Sequence, residues 1–243
     1  MAKKNADIVP AAKQDLANWE QEAAAEAKAE ASKISMFASK LSFKGGDIKM
    51  GDAELENPLP VIIVARCYEN GYYPNKFDPD HPENPVCFAL ADEEKDLAPH
   101  PKSTSPQHDG PCATCPHNQA FPRACKNQIR LRVISGATAP ADVAGAPVLG
   151  AQVPPTSLSG YKVYAKGIGA MGMPPWGLIT ELRNEKFKTW FKLSFRPIEK
   201  VSGEMWAALK AKRVSVQEEI MDPYEEREEA PAAKPAAKGK KKF

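Results

Sequence analysis

Residues 85–132 read PVCFALADEEKDLAPHPKSTSPQHDGPCATCPHNQAFPRACKNQIRLR and hold four of the chain's five cysteines: Cys87, the C-A-T-C pair Cys112 and Cys115, and Cys125. The sequence between them is polar and Pro-rich, with too little apolar content to pack by itself. A loop of that length without structure is unusual inside a compact domain. Something must pin it, and four thiolates gathered on one ion would do so. A C-x-x-C turn offers two thiolates to a tetrahedral metal, and Cys87 and Cys125 complete an all-thiolate site. Structural zinc suits that donor set. His117, two residues past Cys115, and His108 or His100 are substitute ligands if Cys87 packs as a small hydrophobe instead. An iron–sulfur cluster also takes four cysteines. A redox C-x-x-C requires a strand–helix context that does not follow here. Unligated thiols in a surface loop are the plain alternative.

The remainder of the chain sets the context. Its 243 residues are 42% hydrophobic and 26% charged, with 23 Pro and 15 Gly, a soluble and loop-rich composition. No run approaches the roughly 18 apolar residues of a membrane span, so no membrane partner is expected. The start, MAKKNADIVPAAKQ, lacks the apolar core of a signal peptide, and a cytoplasmic location is the expectation. Clustered cysteines in odd number suit metal in a reducing compartment better than a disulfide framework. The net charge of +2 hides an asymmetry. Residues 51–122 carry 4 basic against 12 acidic residues, a net of −8, and residues 123–213 carry 15 against 5, a net of +10. The basic half is the one that attracts a polyanion, unless its Lys and Arg only protect sheet edges.

Along the chain, residues 11–33 are rich in Ala, Glu and Lys and read as a helical arm over 1–33. From residue 34 the pattern changes to alternation, with Gly45–Gly46 at a hairpin turn. Val61–Val64 reads as a buried strand that breaks at Asn70–Gly71, with Cys67 packed in its core. Ile129–Ile134 is an alternating strand, residues 135–155 a Gly/Ala/Pro loop, and TSLSGYKVYAKGIGAM a short helix. Trp176–Arg183 and Thr189–Pro197 read as antiparallel strands around an Asn184–Lys186 turn, with a helix from Gly203. Residues 217–243 form a charged, disordered tail, acidic first and then ending KGKKKF. The ordered part, 34–216, is therefore mainly β, with short helices and a metal-pinned loop insertion at 85–128. An OB-like Greek-key barrel fits about five or six strands, and a β-sandwich nearly as well.

Several enzyme signatures are absent from the sequence: no phosphate-binding Gly-rich loop, no G-x-S-x-G and no H-E-x-x-H. Pro111 with Cys112–Cys115 gives P-C-x-x-C, and His81-Pro82-Glu83 gives H-x-E, a near-match to zinc deaminases. Those enzymes place both halves at helix starts, and neither flank reads as helical here.

The basic half interleaves cations with aromatics. Tyr161, Lys162 and Lys166 form one group. In FKTWFKLSFR, Lys188, Trp190, Lys192, Ser194 and Arg196 share one strand face and Phe191, Leu193 and Phe195 the other. A Trp flanked by cations can stack a base while tracking a phosphate backbone. Arg130 and Arg132 join that surface if the two strands are neighbours, and Tyr68, Tyr72 and Tyr73 are further stacking candidates. The bland reading is an ordinary half-exposed strand.

The order of elements over residues 57–200 carries a resemblance: an alternating strand, YENGYYP, PVCF, CATCPHNQ, ACKNQIRLRVI, PPTS and a late strand pair. It resembles a group of tailed-phage proteins associated with single-stranded-DNA binding in replication and recombination. The cysteine block is its specific part. The resemblance implies Cys87, Cys112, Cys115 and Cys125 as one metal site, a zinc-bearing insertion on an OB fold, and work in a bacterial host cell beside replication or recombination proteins. One departure is the tail, because many single-strand binders end in acidic residues and this chain ends in KGKKKF. The expectation is a non-enzymatic, sequence-tolerant single-stranded-DNA-binding protein. The alternatives are a zinc-stabilised protein–protein accessory module and, behind it, a nucleic-acid-modifying enzyme.

Overall fold

The structure, a computed structural model, describes residues 40–75 and 83–224. The helical arm expected over 1–33, His81 and residues 225–243 of the tail expected at 217–243 lie outside the described residues. The described chain is mainly β, with antiparallel strand pairs and a few helices. No helix among the described residues is long and apolar enough to cross a membrane.

Contacts divide the chain into two units, one holding residues 40–67 and 128–220, the other 68–127 and 221–224. In the first unit, strands β1 (Leu41–Ser42), β2 (Ile48–Met50) and β3 (Ala53–Leu55) form a small antiparallel meander. Gly45 and Gly46 supply its first turn at φ 71° and 98°, where residues with a Cβ are strained. The larger sheet has the order β7-β6-β4-β8-β9. Its members on that path are β4 (Leu59–Tyr72), β6 (Cys125–Ser135), β7 (Leu149–Val153), β8 (Leu178–Phe187) and β9 (Trp190–Lys200), and a sixth strand pairs with β4 off it. Val61, Ile62, Ile63 and Val64 are all buried, as an interior strand covered on both faces requires. Among the described residues the path runs from β7 to β9 with no ladder closing it, and a single bridge joins Lys40 to Gly150 of β7, so a closed OB-like barrel is not confirmed.

Helix α2 (Leu158–Ala170) follows the expectation, burying Tyr161, Tyr164 and Ile168 along one stripe. It packs on β9, whose outward Leu193 N–H donates to Ser157 Oγ at 2.9 Å, so the strand's edge is partly covered. Helix α3 (Gly203–Glu219) starts at Ser202, whose side chain accepts from Met205 N–H. Arg213 Nε and Gln217 Nε2 then donate to the Val64 and Arg66 carbonyls. Cys67 is fully buried, with its thiol donating to the Ile220 carbonyl at 3.5 Å, a packed core residue as expected.

Three readings change at the level of elements. The stretch 135–155 contains β7, hidden because Gly150 and Ala151 carry no strand signal. Their smallness has a use, since a Cβ on Gly150 would come 3.1 Å from the Arg132 guanidinium. The β8–β9 turn falls at Lys188–Thr189 rather than Asn184–Lys186, with Lys188 at φ 56°. Asn184 is instead a buried tie, its Nδ2 donating to the Phe43 and Asp47 carbonyls while its N–H donates to Asn57 Oδ1. Finally, β4 runs through Asn70–Gly71 to Tyr72 because it gains a partner there, β5 (Cys87–Ala91).

Replacing Asn184 with Ala leaves the Phe43 and Asp47 carbonyls without their donor. The expected cost is about 1–3 kcal/mol, read as a lower urea midpoint at unchanged slope. An unchanged midpoint would mean that water replaces the amide without loss.

Candidate functional site

The cysteine block belongs to the second unit and is more ordered than its composition suggests. Residues 68–72 of β4 pair with 87–91 of β5 in the register Tyr68↔Ala91 to Tyr72↔Cys87. Ala89, Ala91, Leu97, Cys112 and the partly buried Tyr68 form a small apolar cluster. Between strands, His100 N–H donates to the Phe88 carbonyl and Ser105 N–H to the Val86 carbonyl, so the Pro-rich segment runs back along β5. Tyr224 closes this unit, its ring edge-on to Phe88 and its hydroxyl on the buried Glu69 carboxylate.

Cys87 opens β5, and Cys125 opens β6. Cys112 starts a 3-10 turn, after which the Cys115 N–H returns to the Cys112 carbonyl and helix α1 (Pro116–Gln119) follows. Asn118 Nδ2 also donates to the Cys112 carbonyl at 2.9 Å, tying the helix to the turn. All four thiols are free, and all but the half-exposed Cys125 are buried. They sense one another. Burial, and then repulsion from Cys115, Cys87 and Cys112, push the Cys125 thiol up to about 12. Burial also raises Cys112, with Cys87 and Cys115 adding repulsion and a hydrogen bond from Asn70 opposing it. The thiols are gathered without being drawn in around one point: among the described residues, no group of three or more His, Cys, Asp or Glu has metal-holding geometry.

The substitute histidines each have another neighbour. His100 stacks on Phe88 at 4.8 Å and accepts the Lys102 N–H on Nδ1. His108 Nε2 lies 2.9 Å from Thr114 Oγ1, and the His117 ring lies 4.6 Å from Tyr72. Four cysteine sulfurs are the soft donor set that a thiophilic ion would take.

The candidate nucleic-acid residues divide. Arg130 and Arg132 are each only 6% exposed, on a strand that lies between β7 and β4. They do not join β9, which lies three positions away in the sheet order. Tyr161 is 1% exposed and packs edge-on to Phe195 at 5.1 Å, so its ring is core rather than a stacking platform. Lys162 is half-buried and Lys166 exposed on α2.

Lys188, Trp190, Lys192 and Arg196 do share the β8–β9 hairpin. Its register sets Phe187 opposite Trp190, Glu185 opposite Lys192, Arg183 opposite Ser194 and Glu181 opposite Arg196. The Phe187 and Trp190 rings lie 5.0 Å apart, with the ammonium groups of Lys188 and Lys192 each 5.8 Å from the Phe187 centroid. Arg196 is spoken for in part, its Nε and Nη2 donating to the Glu181 carboxylate at 2.8 and 3.3 Å. Arg183 stands 3.9 Å from the same carboxylate. Sequence reasoning missed Phe187, Glu181 and Glu185, although the true turn at Lys188–Thr189 would have placed all three across from β9. Phe191, expected in the core beside Leu193 and Phe195, is 36% exposed.

Comparison with protein-family models, with curated proteins and with solved structures finds no match for this chain.

Proposed function

We propose that this chain is a non-enzymatic protein that binds single-stranded DNA with little sequence preference through the tip of the β8–β9 hairpin. One observation supports it above the others: the Phe187–Trp190 aromatic pair at the tip is 45% exposed at Phe187 and flanked by Lys188 and Lys192. Unpaired bases offer π-faces to such rings whatever their identity, and phosphates meet the cations beside them. Glu181 occupies part of the cationic charge, so phosphate has to compete with carboxylate. Binding of this kind is salt-sensitive and sequence-tolerant. The reading needs an exposed strand face and not the closed OB-like barrel. Work in phage replication or recombination, in the host cytoplasm, is the setting that the sequence resemblance suggests.

The second unit is proposed to hold one zinc ion on Cys87, Cys112, Cys115 and Cys125. When bound, zinc supplies folding energy by keeping four thiolates at one centre. The protein's own part is to bring the thiols together, through the β4–β5 register and the turn at Cys112. Purified protein should contain about one zinc per chain. Cys115→Ser should release it and open residues 85–128 to proteolysis, whereas Cys67→Ser should keep it. Loss of metal on Cys67→Ser, or none in the wild type, would contradict the assignment.

For the hairpin, Trp190→Ala should weaken oligo-dT binding by about 1–3 kcal/mol per stacked base while the fold is kept. Glu181→Gln should do the reverse. It releases Arg196 and Arg183 from their carboxylate, tightens binding and steepens the salt dependence by about 0.7 in log–log slope. If Trp190→Ala binds as the wild type does, the hairpin is an ordinary amphipathic pair. The accessory-module reading then gains, because the Glu181–Arg196 pairing already satisfies much of the face.

A further inference from the structure

Among the described residues outside the hairpin, one large apolar side chain stands wholly in water: Phe121, at 100% relative exposure. It sits in the stretch between Cys115 and Cys125, and the base of its loop is tied down. The Ala124 N–H donates to the His117 carbonyl at 3.0 Å, closing the loop. Gln119 Nε2 donates to the Ala113 carbonyl at 2.9 Å and Asn118 Nδ2 to that of Cys112. A phenyl ring held out on a fixed stem exposes apolar area that folding would normally cover.

Its chain neighbours carry one sign of charge. Residues 116–126, PHNQAFPRACK, contain no Asp or Glu, although the wider segment is acidic. Arg123 and Lys126 are exposed. The Lys126 ammonium lies 4.5 Å above the Tyr73 ring, a second aromatic face with a cation beside it. Protein-docking surfaces are contiguous apolar patches, whereas here a lone ring is followed within five residues by two exposed cations. That combination matches an unpaired nucleotide, with a π-face for the base and cations for its phosphate. A duplex hides base faces within its stack and leaves the ring nothing to meet.

We infer that the Cys115–Cys125 loop is a second contact for single-stranded nucleic acid, in which Phe121 stacks on an unpaired base and Arg123 and Lys126 meet the flanking phosphates. The inference rests on the single-strand reading above for the class of ligand, but it uses different residues in the other unit.

The test is a titration of full-length protein with oligo-dT, comparing Phe121→Ala, Phe121→Leu and Phe121→Trp with the wild type and with Trp190→Ala. Phe121 packs against nothing, so these changes leave the core intact. Phe121→Ala should weaken binding about 5- to 100-fold, Leu should fail to restore it, and Trp should restore or exceed it. Wild-type affinity in Phe121→Ala or Phe121→Leu overturns the loop contact. If Trp190→Ala alone loses affinity, the hairpin reading stands without the loop, and if the wild type does not bind oligo-dT, both fall. Should Phe121→Ala change sedimentation and not oligo-dT affinity, the ring docks a second copy of the chain and the inference is wrong.

Discussion

The structure depends on one long strand having hydrogen-bond partners along its whole length. β4 is buried through Val61–Val64, where unpaired backbone groups would be costly. It pairs with β8 over Leu59–Ile62 and with β5 over Tyr68–Tyr72. Side chains of α3 reach its carbonyls at Val64 and Arg66. The β5 pairing has a chemical consequence, because its register sets Cys87 opposite Tyr72 and the same strand carries Asn70, the hydrogen-bond partner of the Cys112 thiol. Backbone pairing thus places Cys87, and Asn70 on the paired strand reaches Cys112.

Much of this was legible in sequence wherever apolar periodicity was strong. Val61–Val64, Ile129–Ile134, the helix over Tyr161 and Ile168, and the glycine turn at Gly45–Gly46 all stand where residue pattern puts them. What was hidden depended on partners. Gly71 looks like a breaker, yet β4 continues through it because β5 pairs opposite. Leu149–Val153 is a strand whose glycine makes room for an arginine of its neighbour. Arg130 and Arg132 alternate as exposed residues do, yet both are buried. Periodicity identifies a face without saying what covers it.

For the candidate sites, the cysteine spacing was a strong local signal, and Cys115, Cys87 and Cys112 add to the burial that raises the Cys125 thiol. The cationic aromatic strand was a weaker one. Four of its proposed residues share one hairpin, while Glu181 and Glu185 stand across from Arg196 and Lys192. Cross-strand ion pairs of this type stabilise sheets on their own account. Their presence turns the question of function into one of competition, between carboxylates fixed in register and phosphates arriving from solution.

The most direct measurement is a titration of the wild-type protein with oligo-dT at two salt concentrations, followed by tryptophan fluorescence. The account predicts quenching that saturates, with affinity falling steeply as salt rises, since each phosphate contact releases condensed counterions. An absence of quenching and of binding at low salt would contradict it.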